Sequence, residues 1–252
     1  MQQGELSIGR KLREFMSDEA IISKNAFLEL HQELPFFDSL MELYLDLLNR
    51  EHPLRNGESK YYALCSLSRT QTIKACTNML RAHVADGFAA SRIAADAALY
   101  ALMMSTGRLS EADYLAENRA KNDALRKLGA DIRNGVEIPS IVLAVHQVRA
   151  SHSPHAHADP ISLSNRIIKN IDGTIRYSHF QELDGPLDFR YFFMGMLWVG
   201  GMCLRAFLDI QHREFGEDIS SITVRLDKWK ITLADHRRSS GIFPERSDAD
   251  GF

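Results

Sequence analysis

The 252-residue chain is poor in the residues that build disulfide scaffolds and the commonest enzyme signatures. Its three cysteines, Cys65, Cys76 and Cys203, are an odd number, which argues against a disulfide framework. It has no Cys-x-x-Cys pair, no glycine-rich phosphate loop and no Gly-x-Ser-x-Gly elbow. Thiol redox proteins, P-loop enzymes and α/β-hydrolases are therefore not indicated, and we expect buried, inert thiols in a reducing cytoplasm.

The chain also lacks a positive net charge and a long apolar run. Its formal net charge is −3, so nucleic-acid binding would need a local basic patch rather than a global field. The longest uninterrupted apolar stretch is residues 191–204, shorter than the roughly 18 residues that a membrane-spanning helix needs. The N-terminus contains no apolar signal core. We predict a cytoplasmic protein without a membrane partner, in which residues 191–204 belong to a core helix.

What the chain does contain is helical periodicity. Residues 61–84 place apolar and small side chains on one face of a 3.6-residue period, and residues 88–104 are alanine-rich and apolar on every side. We predict that these two helices are joined by a tight turn at Asp86-Gly87 and that the second lies in the middle of a bundle. The predicted fold class is all-α, a single-domain multi-helix bundle around this central helical hairpin.

The same patterns predict where domains and elements begin and end. Residues 1–56 are expected to be N-terminal helices packing on the bundle, residues 57–236 the core helical domain, and residues 237–252 a flexible polar tail. The predicted elements include a helix over 5–16 with Leu12, Phe15 and Met16 inward, a helix over 138–151, a helix over 164–170, extended chain over 174–181, a helix from Pro186 to Phe215 and a last helix over 219–234.

Two charges interrupt the apolar helix of the hairpin. Arg92 and Asp96 are one turn apart, so they share a face and can form an ion pair. Charges on such a helix are costly to bury unless they are paired and hydrogen-bonded. One interpretation is a structural ion pair that holds the bundle in register. The other is a polar cavity used for function, which Arg69 on the preceding helix would join.

A histidine-rich stretch follows the helix over 138–151. Residues 149–159, RASHSPHAHAD, hold three of the ten histidines, and His146 lies one turn before Arg149. Histidine titrates near neutral pH and is the commonest general acid or base, and a nearby arginine can hold a phosphate. Arg149 and His155 together suit metal-independent cleavage of an RNA backbone, in which the 2′-hydroxyl attacks the adjacent phosphate.

The spacing of Arg149 and His155 resembles the Arg-x(4–6)-His motif of HEPN-type helical domains. That superfamily includes many metal-independent ribonucleases that act as homodimers. The resemblance implies that RNA is the partner, that Arg149 contacts phosphate, that His155 is the acid or base, and that the chain forms a homo-oligomer. A polar residue usually follows the arginine of the motif, whereas this chain has Ala150.

Three further features resemble a family of uncharacterised all-helical bacterial proteins. They are Arg69 before a long helix, Arg92 with an acid one turn on, and a Ser-x-x-x-His pair after another helix. The family usually has glutamate where this chain has aspartate. The resemblance implies that a polar layer supports the two catalytic residues, composed of Arg69, Arg92, Asp96, Ser151 and His152.

Two other interpretations remain open. His152, His155, His157 and Asp159 carry the donor atoms that zinc or another divalent ion prefers, so the stretch is a second candidate as a metal site. Alternatively, it is a polar surface loop without chemistry, and the bundle is a non-enzymatic interaction module that presents a surface to a protein partner. No motif predicts a cofactor.

Overall fold

The computed structural model of the chain describes residues 10–50, 55, 57–116, 118–156, 167–169, 175–177 and 186–241. This part is an all-α bundle with one short β-hairpin, and the predicted fold class is confirmed. The helices are α1 (Arg10–Glu29), α2 (Leu34–Leu48), α3 (Glu58–Leu80), α4 (Val84–Ser105), α5 (Glu111–Leu115), α6 (Asn118–Arg133), α7 (Ser140–Ala156), α8 (Pro186–Phe215) and α9 (Ser220–Ser239).

Helix α4 is the centre of the bundle, as its composition predicted. It packs against α3, α7 and α8, and its alanines allow these helices to approach closely. Its buried side chains point in every direction around the axis, and each large one contributes about 1.5–3 kcal/mol of burial free energy. The fully enclosed ones include Ala94, Ala95, Ala98, Leu99, Ala101 and Leu102.

The turn of the central hairpin lies earlier than predicted. Helix α3 ends at Leu80 and α4 begins at Val84, so the turn consists of residues 81–83, with Ala82 in the left-handed region at φ 57°. Gly87 is a buried residue inside α4 instead of a helix stop. A Cβ at Gly87 would lie 2.5 Å from Met79 Cε and 3.2 Å from the Ala75 carbonyl oxygen. This glycine is therefore needed where α3 and α4 cross, and not for a turn.

Helix α8 is the second core element, and its predicted bounds are confirmed. Phe193, Met194 and Leu197 are fully buried, and Tyr44 of α2 donates a 2.8 Å hydrogen bond to the Gly200 carbonyl. Among the described helices, residues 189–215 alone are long and apolar enough to cross a membrane. That criterion is also met by the core helices of soluble proteins, and 67% of the most apolar window is buried inside this bundle.

Several peripheral predictions need correction. Leu12 and Met16, expected to point inward, are 63% and 58% exposed on α1, because this helix contacts α3 through a neighbouring face. Residues 167–169, expected to be helical, form strand β1, which pairs antiparallel with strand β2 (Ile175–Tyr177). Its β-branched isoleucines favour that conformation, and the extended chain predicted over 174–181 is confirmed for residues 175–177.

Helices α7 and α9 are both longer than predicted. Helix α7 continues through residue 156, so the first part of the expected histidine loop is helical. Helix α9 continues to Ser239, past the expected end at residue 234. Residues 242–252 of the predicted tail lie outside the described part of the chain.

Candidate functional site

Three charged side chains meet where α4 packs against α7. Oδ1 of Asp96 accepts a hydrogen bond from Nε of Arg149, and Oδ2 lies 3.8 Å from Nε of Arg92. The side chains of Arg92, Asp96 and Arg149 are 19%, 23% and 18% exposed. The ion pair expected within α4 is therefore present, and Arg149 joins it from 53 residues further along the chain. We refer to these three residues as the arginine–aspartate cluster.

The cluster brings two cations to one carboxylate. The guanidinium groups of Arg92 and Arg149, which stay protonated in proteins, both lie beside the carboxylate of Asp96. Within the described residues, the Nη groups of Arg149 have no hydrogen-bond partner. Because the side chains are only partly exposed, an anion that binds here is screened less by water than at an open surface. The arrangement can therefore accept one further anionic group.

Two histidines flank Arg149 on α7, each one turn away. Burial, and secondly the charge of Arg149, lowers the pKa of His146 from its ordinary value of 6.5, so this imidazole is neutral at neutral pH. On the other side, Nδ1 of His152 lies 3.1 Å from Oγ of Ser91, and its ring packs edge-to-face on Phe88 at a centroid distance of 5.0 Å. Imidazoles thus lie on both sides of the arginine.

Tyrosines extend the site along α4 towards α5 and α6. Tyr100 lies one turn after Asp96, and its pKa is raised by burial and then by the negative charge of that carboxylate. Its ring centroid is 5.7 Å from that of Tyr114, and Nζ of Lys121 lies 5.4 Å from the Tyr114 centroid. Two partly exposed tyrosine rings and a lysine therefore lie beside the cluster, and such residues are used in single-stranded nucleic-acid sites.

The other residues predicted for the site, Arg69, Ser151 and His155, are not joined to the arginine–aspartate cluster by any hydrogen bond or salt bridge within the described residues. His155 lies within α7, six residues beyond Arg149, but its side chain is outside the described residues, as are His157 and Asp159. Ser151 is exposed and donates a hydrogen bond back to the Val148 carbonyl at 2.8 Å. Arg69 on α3 has a buried Nε, and no hydrogen bond or salt bridge joins it to the cluster in the described part of the chain. The positive charge of Arg69 lowers the pKa of Cys65, but burial has the larger effect and raises it.

The proposed metal ligands fall mostly on residues that the structure does not describe. His152 is described, and its Nδ1 lies within hydrogen-bond distance of Ser91 Oγ. No group of three or more histidine, cysteine or acidic side chains that could hold a metal ion occurs among the described residues. The three cysteines are buried and free, as predicted. Burial raises the pKa of the Cys203 thiol to about 12, so it is neither a ready nucleophile nor a thiolate ligand.

A second polar cluster could not be predicted from the sequence, because its members are far apart in the chain. Glu33, at the start of α2, has a completely buried side chain. Its Oε1 accepts hydrogen bonds from Nε of Arg190 at 2.8 Å, from Nη2 of the same arginine, and from Nε2 of His236 at 2.8 Å. This cluster ties the start of α8 and the end of α9 to the start of α2. The other carboxylate oxygen, Oε2, is buried and has no hydrogen-bond partner among the described residues. Two cationic or imidazole side chains thus converge on one buried carboxylate, an arrangement that we interpret as structural.

A cavity of about 440 Å³ lies between the end of α8 and the start of α9. Most of its charged side chains pair with a neighbour of opposite charge: Asp209 with Arg213 at 2.9 Å, Arg205 with Asp227 at 3.1 Å, and Glu217 with Arg50 and Arg55 at 3.0 Å each. The carboxylate of Asp218 accepts hydrogen bonds from the backbone N–H and the hydroxyl of Ser220. The lining residues of the cavity are Arg205, Asp209, His212, Gly216, Glu217, Asp218, Ile219, Ser220 and Thr223.

Comparison with known proteins returned no match: no family model, no curated protein and no solved structure is significantly similar to the chain. Any function assigned to the chain must therefore be inferred from the geometry of the site.

Proposed function

We propose that this protein binds RNA at the arginine–aspartate cluster and cleaves its backbone without a metal ion. The observation that carries the proposal is the shared carboxylate: Arg92 and Arg149 converge on Asp96, and the Nη groups of Arg149 have no hydrogen-bond partner within the described residues. A phosphodiester carries one negative charge and offers two oxygens, which is the geometry that guanidinium groups recognise. Tyr100 and Tyr114 extend this surface with aromatic rings against which bases can stack.

The two flanking imidazoles supply the proton transfers that cleavage requires. The base is a neutral imidazole that removes the proton of the 2′-hydroxyl. His146 suits this role because its pKa is lowered. The 2′-oxygen then forms a bond to the adjacent phosphorus, the bond to the 5′-oxygen breaks, and a protonated imidazole donates a proton to that leaving oxygen. The products are a 2′,3′-cyclic phosphate and a 5′-hydroxyl, and the arginines stabilise the charge of the transition state. His152 and the sequence-predicted His155 are the candidates for the acid.

The test is an RNA cleavage assay in the presence of EDTA with end-labelled single-stranded RNA. We expect cleavage by the wild-type protein and the loss of at least tenfold in rate for Arg149→Gln, since removing a transition-state contact costs on the order of 10²–10³ in comparable sites. Arg225→Gln is the matched control, because Arg225 also pairs with an aspartate, Asp46, but lies on α9. Separate His146→Ala, His152→Ala and His155→Ala variants identify the base and the acid. Intact RNA with folded wild-type protein would overturn the cleavage proposal.

A second candidate function, self-association through α1, is favoured by a separate observation. Five large apolar side chains of this helix are at least half exposed, namely Leu12, Met16, Ile21, Phe27 and Leu28. Leu12, Met16, Ala20, Ser23 and Phe27 recur at spacings of four, four, three and four, which is one stripe of a helix. When two copies of this stripe pack antiparallel, Leu12 of one lies opposite Phe27 of the other and the small Ala20 residues meet at the centre. We propose a homodimer through this stripe.

Light scattering after size exclusion tests the dimer. We expect a dimeric mass for the wild-type protein and a monomeric mass for Met16→Glu, since a buried unpaired carboxylate within the stripe is unfavourable. Lys24→Glu, an exposed change on the same helix but off the stripe, should remain dimeric. A monomeric wild-type protein would contradict this second proposal and leave the first unaffected.

A further inference from the structure

The outer face of α8 carries two aromatic residues, Tyr191 and Trp198, that the proposed site does not use. Tyr191, Gly195, Trp198 and Met202 recur at spacings of four, three and four, so they form one stripe beside α9. Tyr191 is 41% exposed, and Trp198 is half-buried. A Cβ at Gly195 would meet no atom of the described residues within 4 Å, so the described part of the chain leaves space at this position of the stripe. The stripe and the facing side of α9 form a groove that we call the α8–α9 groove.

Two cations line this groove at its aromatic centre. Nζ of Lys230 lies 5.5 Å from the ring centroid of Trp198, and Cζ of Arg237 lies 6.0 Å from the same centroid. Lys230 and Arg237 are two turns apart on α9, so both project from one side of that helix. Cations beside a partly exposed indole are the combination that single-strand nucleic-acid sites use, with the ring for a base and the cations for flanking phosphates.

The groove is connected to the arginine–aspartate cluster by packed aromatic rings. His152 packs on Phe88 at 5.0 Å, Phe88 on Phe192 at 5.6 Å, and Phe192 on Tyr191 at 5.5 Å between ring centroids. This chain of contacts crosses the end of the bundle where α4 begins, α7 ends and α8 begins. These ring contacts place Tyr191 at the same end of the bundle as His152, which lies one turn from Arg149 on α7.

We propose that the α8–α9 groove is a base-stacking site for single-stranded RNA, continuous with the phosphate site at Arg92 and Arg149. This inference rests on the proposed function and specifies its substrate class. In an RNA duplex the bases are paired and stacked on one another, so an indole in a groove has no free base face to contact. The groove therefore selects unpaired RNA, with Trp198 stacking on a base and Lys230 and Arg237 neutralising the phosphates on either side.

Tryptophan fluorescence tests the groove, because the chain has two tryptophans in different surroundings. Trp229 is buried and donates a 2.9 Å hydrogen bond to the Phe36 carbonyl, so it should not respond to a ligand. Titration with a twelve-nucleotide oligouridine should quench the wild-type emission, whereas Trp198→Phe, which retains only Trp229, should show no quenching. A duplex of the same length and inorganic polyphosphate should leave the emission unchanged.

A groove-filling variant tests the same idea without removing a packed ring. Gly195→Leu places a side chain between Tyr191 and Trp198 on the stripe, and we expect it to weaken oligouridine binding about tenfold. The matched control is Gly129→Leu on α6, where the nearest atom to a new Cβ is Nη1 of Arg133 at 3.6 Å, and its binding should equal that of the wild type.

The possible failures are distinguishable. If oligouridine binds and Arg149→Gln weakens it, but Gly195→Leu and Trp198→Phe bind like the wild type, the groove proposal is wrong and the proposed function stands. Equal quenching by polyphosphate would show that the indole reports only charge, which also overturns the groove proposal. If no single-stranded RNA binds to the folded wild-type protein, both proposals fail together.

Discussion

The packing of α8 gives the sharpest prediction about the fold, because three glycines on this one helix have different surroundings. A Cβ at Gly200 would lie 2.6 Å from Thr72 Cγ2 and 3.1 Å from Leu40 Cδ2. A Cβ at Gly201 would lie 2.6 Å from Trp229 Cζ3, whereas one at Gly195 would meet no atom within 4 Å in the described part of the chain. The same substitution, glycine to alanine, should therefore change stability in opposite directions along the helix.

The magnitudes follow from two opposing effects. Replacing a helical glycine by alanine stabilises by about 0.5–1 kcal/mol, because less backbone entropy is lost on folding. Overpacking a core costs about 1–3 kcal/mol. Thr72 is 1% exposed and Leu40 is fully buried, so neither side chain can move out of the way easily. We expect Gly195→Ala to stabilise by about 0.5–1 kcal/mol and Gly200→Ala to destabilise by about 1–2 kcal/mol.

Urea unfolding followed by circular dichroism measures both changes, read as shifts of the midpoint at constant m-value. A second substitution checks the mechanism: Thr72→Ser removes the Cγ2 atom that the new methyl group meets. In a double-mutant cycle the pair should be less destabilised than the sum of the single variants by about 1 kcal/mol. If Gly200→Ala and Gly195→Ala shift the midpoint equally, or if Thr72→Ser gives no relief, the close packing of α3 against α8 is wrong.

Three further outcomes are expected. Glu33→Gln should lower the free energy of unfolding, measured in urea, by about 3–5 kcal/mol, because it leaves the Arg190 charge without its buried carboxylate. Asp46→Asn, at the exposed pair with Arg225, should cost less than about 1 kcal/mol. Equal costs for the two variants would contradict a buried network. Because the pKa of His146 is lowered in the fold, the unfolded chain binds the proton first as the pH falls. The contribution of neutral His146 to the free energy of unfolding is therefore present above pH 6.5 and is lost as the pH falls below that value. His146→Gln should therefore flatten the stability loss between about pH 6.5 and pH 5, and an unchanged profile would refute the assignment. The buried thiols of Cys65, Cys76 and Cys203 should react with a thiol-specific disulfide reagent only after unfolding, and rapid modification of the folded protein would contradict their burial.

Sequence patterns predicted the bundle and its centre because they depend on local periodicity. An alanine-rich segment that is apolar on every side has to be surrounded by other helices, and α4 is. The misplaced turn has an equally local cause. Glycine serves both at left-handed helix ends and at close helix crossings, and the sequence alone does not distinguish these roles at Gly87. The contact with Met79 and Ala75 decides between them.

The polar contacts could be predicted only where they are local. The Arg92–Asp96 pair follows from a spacing of one turn, but its extension to Arg149 depends on how α7 packs on α4. Glu33 lies 157 residues before Arg190 and 203 before His236, so no pattern in a single sequence joins them. The exposure of the α1 stripe was missed for a related reason: an apolar face indicates burial, but not whether its own chain or another covers it.

The most direct test of the central claim is the salt dependence of RNA affinity. If Arg149 neutralises a phosphate at the arginine–aspartate cluster, the slope of log Kd against log potassium chloride should fall by about 0.7 in Arg149→Gln relative to the wild-type protein. The control variant, Arg225→Gln, should retain the wild-type slope. Identical slopes and affinities for all three proteins would contradict a phosphate site between α4 and α7.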